Sequence, residues 1–437
     1  MNDRNYRTDT HPEKEISYLA MALALAAKHI PVFPCEDKDT PLTPNGVRDA
    51  TTDPRLINAW WMKHPEAWVA VPTGPKEFGG SGYDVLNLCG HGLADFPDWR
   101  NMSPLVALTP HPNGSHVFYN SEGKAIGLTL LPHNNDIRSR GEYVIVYPSP
   151  GYFFEKGDLR DCPEAPSLPN DILAAGFAFN FAKGHAIRLC AIVPDGAIET
   201  RTFTPSEVAA AREWIARHNT TRNIYFHVNV AGQLAPDQKA KKNDITEILA
   251  AHADLDPPPD RILDADRWRR QTIAKAQACE PRPSIIVASG NGLNLYWLFK
   301  EPILADPAMK ERVEGCSRTL AAAFAGDACF NIDRIMRVPF TANFPTKKKL
   351  AKGYSADPVP ASIVEADWTR RYALGDMPAS PRPEETAHDG GGVSGVNTGD
   401  HDPRLARLPD RSNTLSKSGM IRLSPTSLRA GRKQSGR

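Results

Sequence analysis

With 437 residues, 41% of them hydrophobic and 24% charged, the chain has room for more than one core, and its formal net charge of +1 excludes the global basic footprint of a nucleic-acid coat protein. The seven cysteines are scattered with no Cys-x-x-Cys pair, which excludes a zinc knuckle and fits a reducing cytoplasm. The longest early apolar run, Leu19 to Ala27, is too short to span a membrane and follows Glu13-Lys14-Glu15 rather than a basic leader, so a packed helix is expected and no membrane or targeting segment.

In chain order, a helix is expected between about Pro12 and His29, then a short strand at Ile30 to Pro34. Thr52 or Asp53 caps a helix with Pro54 at its first position, carrying Ile57, Trp60 and Trp61 inward. Val69 to Thr73 and Asp84 to Cys89 read as strands. Leu105 to Thr109 and Ser115 to Tyr119 flank the turn Pro112-Asn113-Gly114 as a hairpin. Asp136-Ile137-Arg138 leads into a further strand from Glu142, closed by Pro148.

These segments carry a resemblance. Phe33-Pro34, Ala50-Thr51-Thr52-Asp53-Pro54, Trp60-Trp61, Pro72-Thr73-Gly74, Gly114-Ser115-His116, Asp136-Ile137-Arg138 and Pro148-Ser149, in that order, resemble the N-terminal domain of bifunctional DNA primase-polymerases (Prim-Pol), of the archaeo-eukaryotic primase superfamily. Where that family places Asp-x-Asp or Asp-x-Glu, this chain has Asn87-Leu88-Cys89, and neutral Asn and Cys cannot hold hard divalent cations as paired carboxylates do. The family's histidine matches His116, its third acid Asp136, followed by Arg138. The resemblance therefore implies a first module, residues 12–162, with the fold retained and the metal site dismantled.

Pro163, Pro166 and Pro169 mark a linker, and Ile172 to Val193 is ambiguous between a bridging helix and strands; together they make residues 163–203 a connecting segment. Thr204-Pro205-Ser206-Glu207 is a capping box that opens a helix to about His218, and Asn223 to Val230 alternates like a strand. Next comes the run ending at Asp254-Leu255-Asp256, stopped by three prolines. Residues i and i+2 of a strand share a face, so Asp254 and Asp256 suit divalent cations about 3.5 to 4 Å apart. His252 shares that face and is expected merely to pack. Ser284 to Ala288 and Leu293 to Phe299 flank the turn Ser289-Gly290-Asn291-Gly292, whose backbone N–H groups suit phosphate. Lys347-Lys348-Lys349 reads as a phosphate clamp or a solvated run.

The two halves thus repeat one order of parts: an acidic strand position, a glycine-turn hairpin, then Asp followed by Arg. Residues 204–356 resemble RepB-type plasmid and phage primases through Asp254-Leu255-Asp256-Pro257, Ser289-Gly290-x-Gly292 with Tyr296-Trp297, Gly326-Asp327, and Asp333 to Pro339 ending at Asn343. Asn294 stands where many members carry histidine, and Phe340 where glycine is usual. The resemblance implies Asp254, Asp256, Asp327 and Asp333 as catalytic acids. Mg²⁺ or Mn²⁺ would sit on Asp254, Asp256 and Asp327, with Asp333 the weaker third ligand, placed to pair with Arg334 or Arg337. Ser289, Gly290, Asn294 and Arg337 would contact the triphosphate.

The expected fold is α/β (α+β): two primase-like modules, each a small mixed sheet with flanking helices. Residues 357–437 are expected to be a low-complexity, disordered basic tail. The expected partners are a single-stranded DNA template, nucleoside triphosphates and a separate replicative helicase, since no Gly-x-x-x-x-Gly-Lys-[Ser/Thr] loop occurs. Cytoplasmic metal-dependent nucleotide addition for a plasmid, phage or other mobile element is the expected function, a catalytically inactive initiator or nucleic-acid-binding remnant the alternative.

Overall fold

Helices and strands alternate along the chain because apolar periodicity switches repeatedly between the two backbone repeats. The computed structural model describes residues 16–123, 128–232, 238–326 and 329–378. The first half contains α1 (Tyr18–Ala27), β1 (Phe33–Cys35), α2 (Pro54–Lys63), β2 (Trp68–Pro72), β3 (Tyr83–Leu88), β4 (Val106–Leu108), β5 (Ser115–Asn120), β6 (Leu128–Leu130), β7 (Asp136–Arg138), β8 (Tyr143–Val146) and β9 (Phe153–Lys156). The second contains α3 (Asn170–Ala182), β10 (Ile187–Ile192), β11 (Ile198–Phe203), α4 (Val208–His218), β12 (Asn223–His227), β13 (Val230–Ala231), β14 (Ile245–Leu255) and α5 (Ala265–Ala278). It continues through β15 (Ile285–Ala288), β16 (Leu293–Leu304), α6 (Pro307–Ala323), β17 (Ile335–Arg337), β18 (Ala342–Asn343), α7 (Lys347–Ala351), β19 (Val359–Pro360), β20 (Ser362–Ala366) and β21 (Arg371–Tyr372).

Local signals set several of these ends. Asp53 accepts from the Arg55 N–H at 2.8 Å and Pro54 opens α2, which buries Ile57 and Trp61 and leaves Trp60 partly exposed. The box at Thr204 and Glu207 forms, though its first turn is tight and α4 proper begins at Val208.

Each half carries a smaller and a larger sheet, the second half adding the short pair β18–β19, and nearly every neighbouring pair of named strands is antiparallel. The smaller sheets run β1-β2-β8 and β11-β10-β12-β17; the larger contain β3-β5-β4-β9 and β14-β16-β15-β20. The strand order therefore repeats. A helix lies between β1 and β2 in one small sheet and between β11 and β12 in the other, a later strand (β8, β17) returns beside them, and a hairpin folds onto the strand that begins each larger sheet.

The connecting segment is not a loose linker. Ten of the thirteen residues of α3 are buried, an apolar surface all round that only a helix enclosed on every side can satisfy. Its Gly176 lies against Leu131, Thr129 and Ile137 of the first half, while Phe177 and Phe181 stack edge-on against Phe226. One apolar cluster accordingly runs from Leu86 and Ile137 through α3 to Tyr296 and Leu298. The tail expected from residue 357 begins later, because β20 pairs with β15 and β21 with β16, completing the second large sheet. The expected disorder after Pro378 and the basic stretch of residues 404–437 lie outside the described residues. Among the described residues no helix is long and apolar enough to cross a membrane.

Candidate functional site

Two places in the molecule bring the singled-out side chains together, and the ladder register makes them equivalent. In the first half Asn87 of β3 sits opposite His116 of β5; in the second Asp254 of β14 sits opposite Asn294 of β16.

At the first, Asn87 also faces Asp136 across β7, and its amide donates to one Asp136 oxygen at 2.8 Å. Arg138 donates to the other at 3.0 Å, so the single carboxylate is already satisfied. Cys89 lies beyond the strand end, its thiol 3.9 Å from the Asn87 carbonyl oxygen and pushed up in pKa by burial and then by Asp136. His116 is 4% exposed; burial, with Arg138 adding, pulls its pKa down to about 3, so the ring is neutral at physiological pH. Of Asn87, Cys89 and Asp136 only one is a carboxylate, whereas hard divalent cations favour several oxygen ligands.

At the second, β14 ends at Leu255, and Asp254 and Asp256 stand at the rim with side chains 22% and 35% exposed. Asn294 donates to Asp254 Oδ1 at 2.8 Å and Arg334 to Oδ2 at 2.7 Å. Burial opposes the Arg334 charge, but Asp254 outweighs it and raises the guanidinium pKa. Lys349, at the end of the lysine run, lies 3.4 Å from Asp256. The glycine turn reaches this rim by close approach: a Cβ on Gly292 would stand 2.3 Å from the Leu255 carbonyl oxygen and 2.6 Å from Asp256 Oδ1. Gly290, at φ +108°, is similarly confined by Asn343, whose amide donates to the Ser289 carbonyl at 2.8 Å.

Several expected roles change. Arg337 does not face the rim: it is 5% exposed, donates to Asn223, Tyr225 and Asn343, and lies 4.3 Å over the Tyr225 ring. Its work is to hold Asn343, and through it the glycine turn. The Asn294 amide nitrogen, expected on phosphate, is committed to Asp254. Arg334 pairs with Asp254 and not with Asp333. His252 packs, as expected: it is 1% exposed, its Nε2 lies 3.1 Å from the Cys329 carbonyl oxygen, and burial, with Arg334 adding, pulls its pKa down to about 4. Asp327 lies outside the described residues. Residues the sequence did not single out are Arg269, which donates to the Gly290 carbonyl at 2.9 Å, and Asn223; one is a surface arginine among several on α5, the other a strand-end amide, and neither carries a local signal.

Among the described residues no group of three or more His, Cys, Asp or Glu side chains is placed to hold a metal ion. The donors that are present nonetheless suit one. Two half-exposed carboxylates share a rim, each neutralised by a basic side chain. Beside them the Asn294 carbonyl oxygen is buried without a partner among the described residues.

Residues 22–168 match the family model described as bifunctional DNA primase/polymerase, N-terminal. Solved structures similar to the chain include the primase-polymerase domain of cyanophage S-2L, at 21% identity and TM-score 0.31, covering 47% of this chain and 94% of that one. The primase RepB' is similar at 13% identity and TM-score 0.30, covering 47% and 59% of the two chains. Its catalytic domain in complex with initiator DNA is similar at 14% and 0.30, covering 48% and 90%. No curated protein matches the chain.

Proposed function

We propose that the chain is a DNA primase-polymerase of a plasmid, phage or other mobile element, working in the cytoplasm, in which residues 204–356 form a second, RepB-type module. This module carries template-directed nucleotide addition. The first, residues 12–162, is scaffold and template contact. The observation that carries the reading is the meeting, at one strand end, of Asp254 and Asp256 with the Gly290–Gly292 turn and the cations Arg334 and Lys349.

Asp254 and Asp256, with Asp327 or Asp333 from the following segment, would hold Mg²⁺ or Mn²⁺, which when bound neutralises phosphate charge and activates the attacking hydroxyl. The chain's own residues then do mostly positioning. Asn294 fixes the orientation of Asp254 by its 2.8 Å bond. Arg269 and Asn343 hold the carbonyls of Gly290 and Ser289, keeping the turn open toward an incoming triphosphate. Lys349, 3.4 Å from Asp256, would supply a positive charge for the phosphates where Asp256 holds a cation. Arg334, at the same rim, takes the charge-stabilising role expected of Arg337.

Primer synthesis and extension on single-stranded DNA, with Mg²⁺ or Mn²⁺ and a supplied helicase where a duplex must be opened, tests this. Activity should vanish in Asp254→Asn and persist in Cys89→Ala. A second reading, a nucleic-acid-binding initiator without catalysis, draws on the cation already seated on each carboxylate. DNA binding with no incorporation under any metal would establish it instead.

A further inference from the structure

Where the two halves meet, the C-terminal end of α3, the segment after β6 and the stretch from Trp368 to Arg371 line an open pocket of about 640 Å³. That volume is within the range of small-molecule sites, roughly 300–1,000 Å³. It lies apart from both sites described above and shares no lining residue with either.

Its lining has a definite chemistry. Two aromatic rings, Phe179 and Trp368, supply flat apolar walls, and the Trp368 ring is backed by Phe177 at 5.8 Å. The ionisable lining is Lys183, Arg371 and His133, with no carboxylate among the lining residues. Arg371 donates only to backbone carbonyls, those of Trp368 and Phe299, so its charge has no carboxylate hydrogen-bonded to it. Lys183 donates to the Lys300 carbonyl at 2.8 Å and reaches only the exposed Glu301, at 3.4 Å. The Asn180 amide nitrogen is buried there with no partner among the described residues. Flat rings, two cations whose shortest hydrogen bonds go to backbone carbonyls and whose nearest acid is the exposed Glu301, and an unmatched amide donor are complementary to a planar base carrying phosphate.

We propose that this pocket binds a free nucleotide, its base between Trp368 and Phe179 and its phosphates on Lys183 and Arg371, without a metal ion. Because α3 and β21 each belong to the junction of the halves, an occupant bridges them and favours their packed arrangement.

Equilibrium dialysis of the full chain against ATP in EDTA tests the site while silencing any metal-dependent one. ATP should bind, Lys183→Glu and Trp368→Leu should each weaken it about tenfold or more, and Asp254→Asn should leave it unchanged. Adenosine alone and tripolyphosphate alone should each bind far more weakly than ATP. Lys183 is 39% exposed, so its variant keeps the fold even where Trp368→Leu does not. The proposal is overturned if ATP fails to bind in EDTA, or if binding survives Lys183→Glu. It is equally overturned if Asp254→Asn removes the binding, or if a single-stranded oligonucleotide displaces ATP and itself depends on Lys183. Loss of primer extension in the earlier assay would leave these outcomes untouched.

Discussion

His252 sits two residues before Asp254 on the same strand face, yet burial makes it a structural neutral imidazole. Its pKa of about 4 in the folded chain lies below the ordinary 6.5, so between those values the unfolded chain takes up a proton that the folded chain refuses. Stability from this group is whole above about pH 6.5 and is lost as the pH falls toward 4, by about 3 kcal/mol. Urea denaturation at pH 7, 5 and 4 should therefore show wild type losing that amount relative to His252→Gln; parallel pH profiles would refute the assignment. Phe340 is the other residue whose identity and conformation conflict. The backbone there is left-handed, φ +67°, a region that disfavours a bulky side chain. The ring is 8% exposed and belongs to the main cluster, which offsets the strain. Phe340→Gly should relieve about 1–3 kcal/mol of strain and lose about 3–5 kcal/mol of packing, a net destabilisation read by thermal melting.

At the scale of elements, the hairpin β15–β16 and the strand β14 were legible because alternation, the glycine pair and the three prolines all mark the same boundaries. So was the meeting of Asn87, His116 and Asp136, since each lies at a recognisable strand position. What was not legible depends on which way a buried polar group turns. Arg337 and Arg334 are three apart on one short segment, and nothing local says that one goes to Asn343 inside and the other to Asp254 at the rim. The residues 163–203 misled through Pro163, Pro166 and Pro169, which lie before α3 and not within it, and β20 was hidden just after Pro358 and Pro360, its pairing supplied by the distant β15. The close approach at Gly292 makes the hairpin testable. Its neighbour is a backbone carbonyl, which cannot step aside, so Gly292→Ala must part β14 from β16 at their open end. A loss of about 1–3 kcal/mol is expected, with faster amide hydrogen exchange confined to the Leu255–Leu293 end of the ladder. Exchange unchanged there would show that the turn has room the geometry denies.

Across the whole molecule, α3 decides whether the repeated strand plan behaves as two units or one. A linker helix would be polar on one side; this one is buried on all sides, with Gly176 against the first large sheet and Phe177 against Phe226 and Trp368 of the second half. Arg212 of α4 adds a polar tie, donating to Asp171 of α3 at 3.0 Å and to the Asp95 carbonyl of the first half at 3.3 Å. Truncating Phe177 removes a fully enclosed ring, a change that costs about 3–5 kcal/mol in such a setting. If the halves unfold together, hydrogen-exchange protection in Phe177→Ala should fall by the same free energy in peptides covering β3 and β14, although the ring touches neither strand's far end. If they unfold separately, only the second-half peptides should lose protection and a second transition should appear in denaturant. The continuous cluster from Leu86 through α3 to Leu298 predicts the first outcome, a single transition moved to lower denaturant with its slope unchanged.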